Sequence, residues 1–310
     1  MGTYYAVKIP NPPAGIDDAQ LQAGVESVLN AVVAEISTYD PGSELSRFNR
    51  SASTDWVPAS PALLAVLKEG QRVGALSGGV FDITVGPLVN LWGFGPDAKP
   101  QGAPSPESIR LARERVGAGM LSLRDDPPAV RKARADLYVD LSALGEGEGA
   151  DRVAAYLESR GIDDYMVAVA GTLRVRGTNP KGEPWGIAVE EPSPDHRAVQ
   201  RILPLTDYAV STSGDYRNFF EESGRRYSHH IDPRTGEPVA QRLASVTVAI
   251  PNGADAARRA DGLATALLLM GEETGPATAE REGLAAYFIV REETGLREIE
   301  TPAMRRLKTP

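Results

Sequence analysis

LYVDLSALGEGEGADRVAAYLESRGIDDYMVAVA, Leu137–Ala170, carries the change of periodicity on which the fold class turns. Leu137–Leu141 is an apolar run with the character of a strand. Ala150–Ser159 places its apolar residues at helical spacing, and Tyr165–Ala170 reads as another strand. On the N-terminal side, Ile16–Thr38 reads as an amphipathic helix: Asp17 and Asp18 start it, and Leu21, Val25, Val28, Leu29, Val32 and Val33 recur along one face. Pro61–Leu76 predicts a second helix that stops at Gly78-Gly79. A Pro/Gly-rich loop follows from Gly93 to Pro106, then a short helix near Glu107–Val116. On the C-terminal side, strands are expected at 186–190, 202–205 and 209–212, then strand 244–250, helix 255–270, a short helix 275–281 and strand 285–290. Helices bracket short strands without the regular alternation of a doubly wound sheet. The expected class is therefore α+β, a layered fold with a mainly antiparallel sheet flanked by helices. No stretch has a linker's composition, so residues 1–310 read as a single domain.

The composition narrows the function. With 42% apolar and 24% charged residues the chain has ample material for a core. A net charge of -9 argues against broad nucleic-acid binding, which needs a basic face. There is no cysteine, which excludes disulfides, thiol catalysis and cysteine-ligated zinc. No apolar run approaches the ~20 residues of a membrane helix. No signal peptide is expected either, so the protein is cytoplasmic or a leader precedes this numbering; composition does not choose.

Four stretches place polar residues where packing alone would not need them. In Phe81–Gly95, Asp82 sits between apolar neighbours, and a buried acid must be hydrogen-bonded; it caps a loop or serves a ligand. In Asp140–Asp151, Gly145, Gly147 and Gly149 alternate between a predicted strand and a predicted helix. Such a turn can bring backbone amides to a phosphate. It holds two glutamates and no lysine, however, so phosphate would need an intervening cation; a purely structural turn is the alternative. The third stretch is Ser211–Asn218 with Tyr227–Gly236. Asp232-Pro233-Arg234-Thr235-Gly236 reads as a tight turn. His229 or His230 just before it can act as a general base, or both can simply flank a hairpin. Strand alternation would put the two on opposite faces. His196 reads as surface. In the fourth stretch, Asp261 and Thr265 lie four residues apart on one helical face, where their oxygens can converge on a hard cation. Alternatively Thr265 bonds to its own helix and Asp261 pairs with Arg258 or another arginine.

In order, these stretches resemble the ApbE family of FAD:protein FMN transferases over nearly the whole chain. The resemblance runs through Met1-Gly2-Thr3, Ser37-Thr38-Tyr39, Ser43–Asn49, FDITVGPLVNLWGFGP at 81–96, DLSALGEG at 140–147, STSGDYRN at 211–218, SHHIDPRTG at 228–236 and ADGLATAL at 260–267. It implies an ApbE-type fold and an FAD substrate contacted by Met1, Tyr39, Val80, Phe81, Asp82, Asp140, Glu146 and Ile231. It also implies Mg2+ held by the Ala143 carbonyl and the side chains of Asp261 and Thr265. The implied reaction is attack of a Ser/Thr hydroxyl of an acceptor protein on the FMN-side phosphorus, with AMP leaving. His229 would be the base, with Asp261 the second catalytic residue through the metal and Asp232 a possible orienting group. The acceptor would be a subunit of a membrane redox complex bearing a short flavinylation motif, and the location periplasmic, with a leader or lipid anchor outside this chain. Many family members have Tyr where Glu148 stands, a paired glycine at Ala170-Gly171, and some an Asp at Ala264. A magnesium-dependent FAD pyrophosphatase and a non-enzymatic flavin carrier are the competing functions.

Overall fold

A computed structural model describes residues 3–96, 102–193, 198–216, 218–222 and 224–307. Met1, His196 and part of the Gly93–Pro106 loop lie outside these residues. Its contacts divide the chain into two compact units, each assembled from separate stretches. The first comprises 1–32, 144–214 and 242–310; the second comprises 33–143 and 215–241.

The first unit is built on seven strands: β1 (Tyr5–Lys8), β2 (Tyr165–Val169), β3 (Thr172–Arg176), β4 (Tyr208–Gly214), β5 (Leu243–Pro251), β6 (Ala285–Glu292) and β7 (Gly295–Glu300). They lie in the sheet in chain order, every neighbouring pair antiparallel. The α+β expectation with a mainly antiparallel sheet holds. A hairpin of Trp185–Glu190 and Val199–Leu205 buries Trp185, Ile187, Val189, Leu203 and Leu205 with Tyr287 and Ile289 of the sheet. Helices α1 (Asp18–Ile36), which belongs to this unit as far as Val32, α2 (Ser142–Ser159), which belongs to it from Leu144, and α3 (Ala256–Leu269) complete the unit. In β5 eight consecutive residues are buried, as expected of a central strand covered on both faces. Helix α3 packs on β4 and β5, its Ala260, Leu263, Ala264 and Leu267 fully buried.

In the second unit, helices Glu44–Arg50 and Pro61–Leu76 start from Ser43 and Ser60, whose hydroxyls accept amides of the first turns. Pro61–Leu76 matches its expected bounds. A three-stranded sheet of Val57–Pro58, Pro128–Lys132 and Leu121–Asp125 stands beside the second helix. A separate cluster packs Leu88, Trp92, Ala112 and Ile231 with Phe220 and Tyr227.

Two expectations fail in the deciding stretch. Leu137–Leu141 joins no strand. Its main chain is paired instead by a side chain: Asn49 Nδ2 donates to Val139 O at 2.8 Å, and Val139 N donates to Asn49 Oδ1 at 2.9 Å. Asp140 N then donates to Ile83 O at 2.7 Å. The glycines at 145, 147 and 149 form no phosphate-cradling turn either, because α2 begins at Ser142 and contains all three. Gly147 serves packing: a Cβ there would lie 2.5 Å from Arg258 Cα and closer still to the Ala257 carbonyl oxygen. The small residue lets α2 and α3 touch through their backbones.

Candidate active site

The residues singled out above fall in both units. Glu146, Asp261 and Thr265 belong to the first; Tyr39, Val80, Phe81, Asp82, Asp140, Ala143, His229 and Ile231 belong to the second.

In the first unit, Asp261 and Thr265 share one face of α3, turned towards β4. Alternation along β4 puts Ser211 and Ser213 on the helix side and Thr212 on the other. Ser213 Oγ lies 2.9 Å from Thr265 Oγ1, while Thr212 meets Thr247 of β5 at 2.8 Å. Asp261 is 6% exposed and held at both oxygens. Oδ2 accepts the Gly147 amide at 2.9 Å, and Oδ1 accepts the Ser211 hydroxyl at 3.4 Å. Arg258 does not neutralise it; that guanidinium bonds Glu148 at 2.6 Å, which also takes Arg152 at 2.7 Å. Glu148 is thus a buried bridge between α2 and α3. Thr265 likewise bonds outward to β4 rather than back to its helix.

The second carboxylate here is Glu146, whose Oε2 accepts the Gly171 amide at 3.0 Å. Burial raises the pKa of Asp261 well above the ordinary carboxylate range, and the Glu146 charge beside it pushes the same way. Burial also raises Glu146, against the lowering effect of the Gly171 amide. Among the described residues neither acid forms an ion pair. A buried acid beside a half-buried one, ringed by hydroxyls and amides, attracts a proton or a cation.

In the second unit, His229 Nδ1 lies 3.0 Å from Asn218 O, the carbonyl that also accepts the His229 amide at 3.2 Å. A carbonyl only accepts, so Nδ1 carries the proton and Nε2 presents its lone pair. Burial lowers the His229 pKa, opposed by the Asn218 carbonyl and the charge of Asp215. The two histidines do not point to opposite faces: their rings sit 3.9 Å apart, and His230 is buried. They follow the strand Arg225–Ser228, so strand alternation does not govern them. Phe94 meets the His229 ring edge-on at 6.3 Å. Asp232 does not orient His229. Both of its oxygens accept from Arg234, and its main-chain carbonyl accepts the Gly236 amide at 2.7 Å, closing the expected tight turn at Gly236, φ +79°.

The remaining positions divide by burial. Tyr39 is 64% exposed, and partial burial of its phenol, with the Asp140 charge adding to it, raises its pKa. Asp140 Oδ1 accepts the Ser142 amide at 2.8 Å where α2 starts. Ala143 is the second residue of that helix. Asp82 staples a loop: Oδ1 accepts from Thr84 N and Oγ1, and Oδ2 accepts from Ala118 N at 2.9 Å. Val80, Phe81 and Ile231 are buried, so their side chains serve packing. Ser211 and Thr172 escaped the sequence reading as site residues; hydroxyls at alternate positions 211 and 213 of a strand were the available signal.

The family model of the ApbE family matches residues 1–288. A Vibrio cholerae protein named FAD:protein FMN transferase is 45% identical over 298 residues, covering 96% of this chain and 87% of its own. A protein of the same name from Escherichia coli K12 is 41% identical over 94% of this chain and 82% of its own. The solved structure of the flavin transferase ApbE from Vibrio cholerae superposes with a TM-score of 0.91 at 43% identity, covering 99% of this chain and 96% of that one. The apo flavinyl transferase ApbE of Pseudomonas stutzeri gives 0.89 at 39% identity, covering 99% and 94%. The chain belongs to the ApbE family.

Proposed function

We propose that this protein is a magnesium-dependent FAD:protein FMN transferase, which moves FMN from FAD to a Ser/Thr hydroxyl of an acceptor protein and releases AMP. The observation that carries the metal-dependent part is the pair of buried Asp261 and half-buried Glu146, which among the described residues has no cationic partner. A hard divalent cation fits this set, since the side-chain atoms that Asp261 and Thr265 offer are oxygens. Asp261 and Thr265 would hold the cation. The Ala143 carbonyl would join them; the Gly147 amide that a regular helix directs at it donates to Asp261. Once bound, Mg2+ neutralises charge on a pyrophosphate.

The chain's own contribution to the chemistry is a base and a binding surface. The acceptor hydroxyl oxygen forms the new bond to the FMN-side phosphorus, the bond to the AMP oxygen breaks, and AMP takes the electron pair. His229 Nε2 takes the hydroxyl proton; burial keeps it neutral and the Asn218 carbonyl fixes its tautomer. Tyr39, Asp82, Asp140, Glu146 and the main chain near Val80, Phe81 and Ile231 would contact FAD, as would Met1. Residues 1–310 would act as one functional domain, a reading supported by the single family model that spans residues 1–288. The acceptor would be a subunit of a membrane redox complex and the location periplasmic; both readings rest on the family resemblance, and cell fractionation tests the location.

The decisive experiment incubates the protein with FAD, Mg2+ and an acceptor domain carrying a flavinylation motif, then measures the acceptor's intact mass. A gain of one FMN that disappears without Mg2+ is the expected result. FMN and AMP accumulating with the acceptor unmodified would make the protein a pyrophosphatase, and FAD left intact would make it a carrier.

A further inference from the structure

Behind Asp261 stands a short chain of hydroxyls that neither the base nor the proposed cation contacts need. Thr172 of β3 and Ser211 of β4 are cross-strand partners, 0% and 1% exposed. Thr172 Oγ1 and Ser211 Oγ lie 2.8 Å apart, and Ser211 Oγ reaches Asp261 Oδ1 at 3.4 Å. The Ser211 hydroxyl donates to Asp261 Oδ1. The Ser211 oxygen is then free to accept, and the Thr172 proton points at Ser211. The order of donors is thereby fixed. On the other oxygen, the Gly147 amide holds Oδ2 at 2.9 Å. With one donor on each oxygen, the carboxylate cannot rotate without breaking a buried hydrogen bond, and each oxygen keeps a lone pair for another partner.

We infer that Thr172 and Ser211 are positioning residues that lock the Asp261 carboxylate in the orientation that receives a divalent cation. The inference deepens the magnesium reading above and rests on it. Thr172 follows Gly171, whose amide holds Glu146. One strand start therefore steadies both acids: Glu146 through the main chain, Asp261 through two hydroxyls. Partners of this kind, one bond removed from the metal, change affinity by about 10–100-fold when lost, because the ligand then pays for its own ordering.

The test is a titration of the full-length protein with Mn2+, a spin-active substitute for Mg2+, followed by electron paramagnetic resonance with and without ADP as a non-transferable pyrophosphate. Ser211→Ala is expected to raise the Mn2+ Kd about 10–100-fold. Thr172→Val is expected to raise it less, and Thr172→Ser, which keeps the hydroxyl, to bind as the parent does. Unfolding midpoints without metal, measured in parallel, separate a lost fold from a lost orientation. A Ser211→Ala protein that is folded and binds Mn2+ with unchanged Kd overturns the inference. Asp261→Asn separates the two levels. If it loses Mn2+ while Ser211→Ala does not, the positioning role alone is wrong; if it binds Mn2+ as the parent does, the metal reading falls with it.

Discussion

The Gly147 amide donates to Asp261 Oδ2 across the contact between α2 and α3, at the point where those helices come too close for any side chain at position 147. One residue thus sets both the helix spacing and the acid's hydrogen bond. Gly147→Ala would press a methyl group into the Ala257 carbonyl, a backbone atom that cannot swing aside. The expected cost is about 1–3 kcal/mol of stability from overpacking, read as a lower urea midpoint. The displaced amide should also lower Mg2+-supported turnover. A variant as stable as the parent would show that the helices have slack.

Asn49 substitutes for a sheet neighbour by pairing both main-chain groups of Val139. Asn49→Ala leaves an amide and a carbonyl without those partners in a half-buried setting. We expect a loss of about 1–3 kcal/mol in denaturant unfolding. Activity should fall too, because Asp140, the next residue, caps the start of α2. Wild-type stability in this variant would mean that water replaces the side chain without penalty.

The local part of the site was legible in the sequence. Asp261 and Thr265 share a face because helical spacing is set within one turn, and the structure keeps them together, bonded to Ser211 and Ser213 of β4. Helix Pro61–Leu76 was equally plain, with Ser60 before it and Gly78 beyond its end. What escaped depends on partners distant in sequence. Leu137–Leu141 has the composition of a strand, but Asn49, some ninety residues earlier, takes its hydrogen bonds. The alternating glycines around 147 read as a loop because glycine weakens an isolated helix; only the Ala257–Arg258 backbone explains them. His229 and His230 touch because the strand ends at Ser228, a boundary that periodicity does not mark.

Asp151 should give the first unit a measurable acid-side dependence. Burial pushes its pKa up to about 6, although Arg174 at 2.7 Å and the amides of Ala257 and Arg258 at 3.1 and 2.9 Å pull it down. The folded state then holds this proton more tightly than the unfolded chain, whose value is 3.8. Its contribution to stability is full below 3.8 and is lost as pH rises towards 6. Asp151→Asn, compared with the parent by thermal unfolding from pH 4 to pH 7, should lack this decline. Parallel curves would place the Asp151 pKa near its ordinary value.

His229 makes the opposite prediction, and in catalysis as well as stability. Burial lowers its pKa below the ordinary 6.5, so the imidazole is neutral at pH 7 and Nε2 is ready to take a proton. The profile of kcat/KM should therefore fall on its acid side below pH 6.5, as protonation removes the lone pair. In the same range the unfolded chain binds a proton that the folded chain resists. His229 and the still more deeply buried His230 thus contribute stability above 6.5 that is lost as pH falls through their lowered values. His229→Ala should reduce kcat by about 10²–10⁴-fold and abolish the acid limb, while FAD binding, followed by flavin fluorescence, changes little. A His229→Ala enzyme that is slow yet keeps the same acid limb would assign that ionisation to another group, and one with full turnover would remove His229 from the proton transfer altogether.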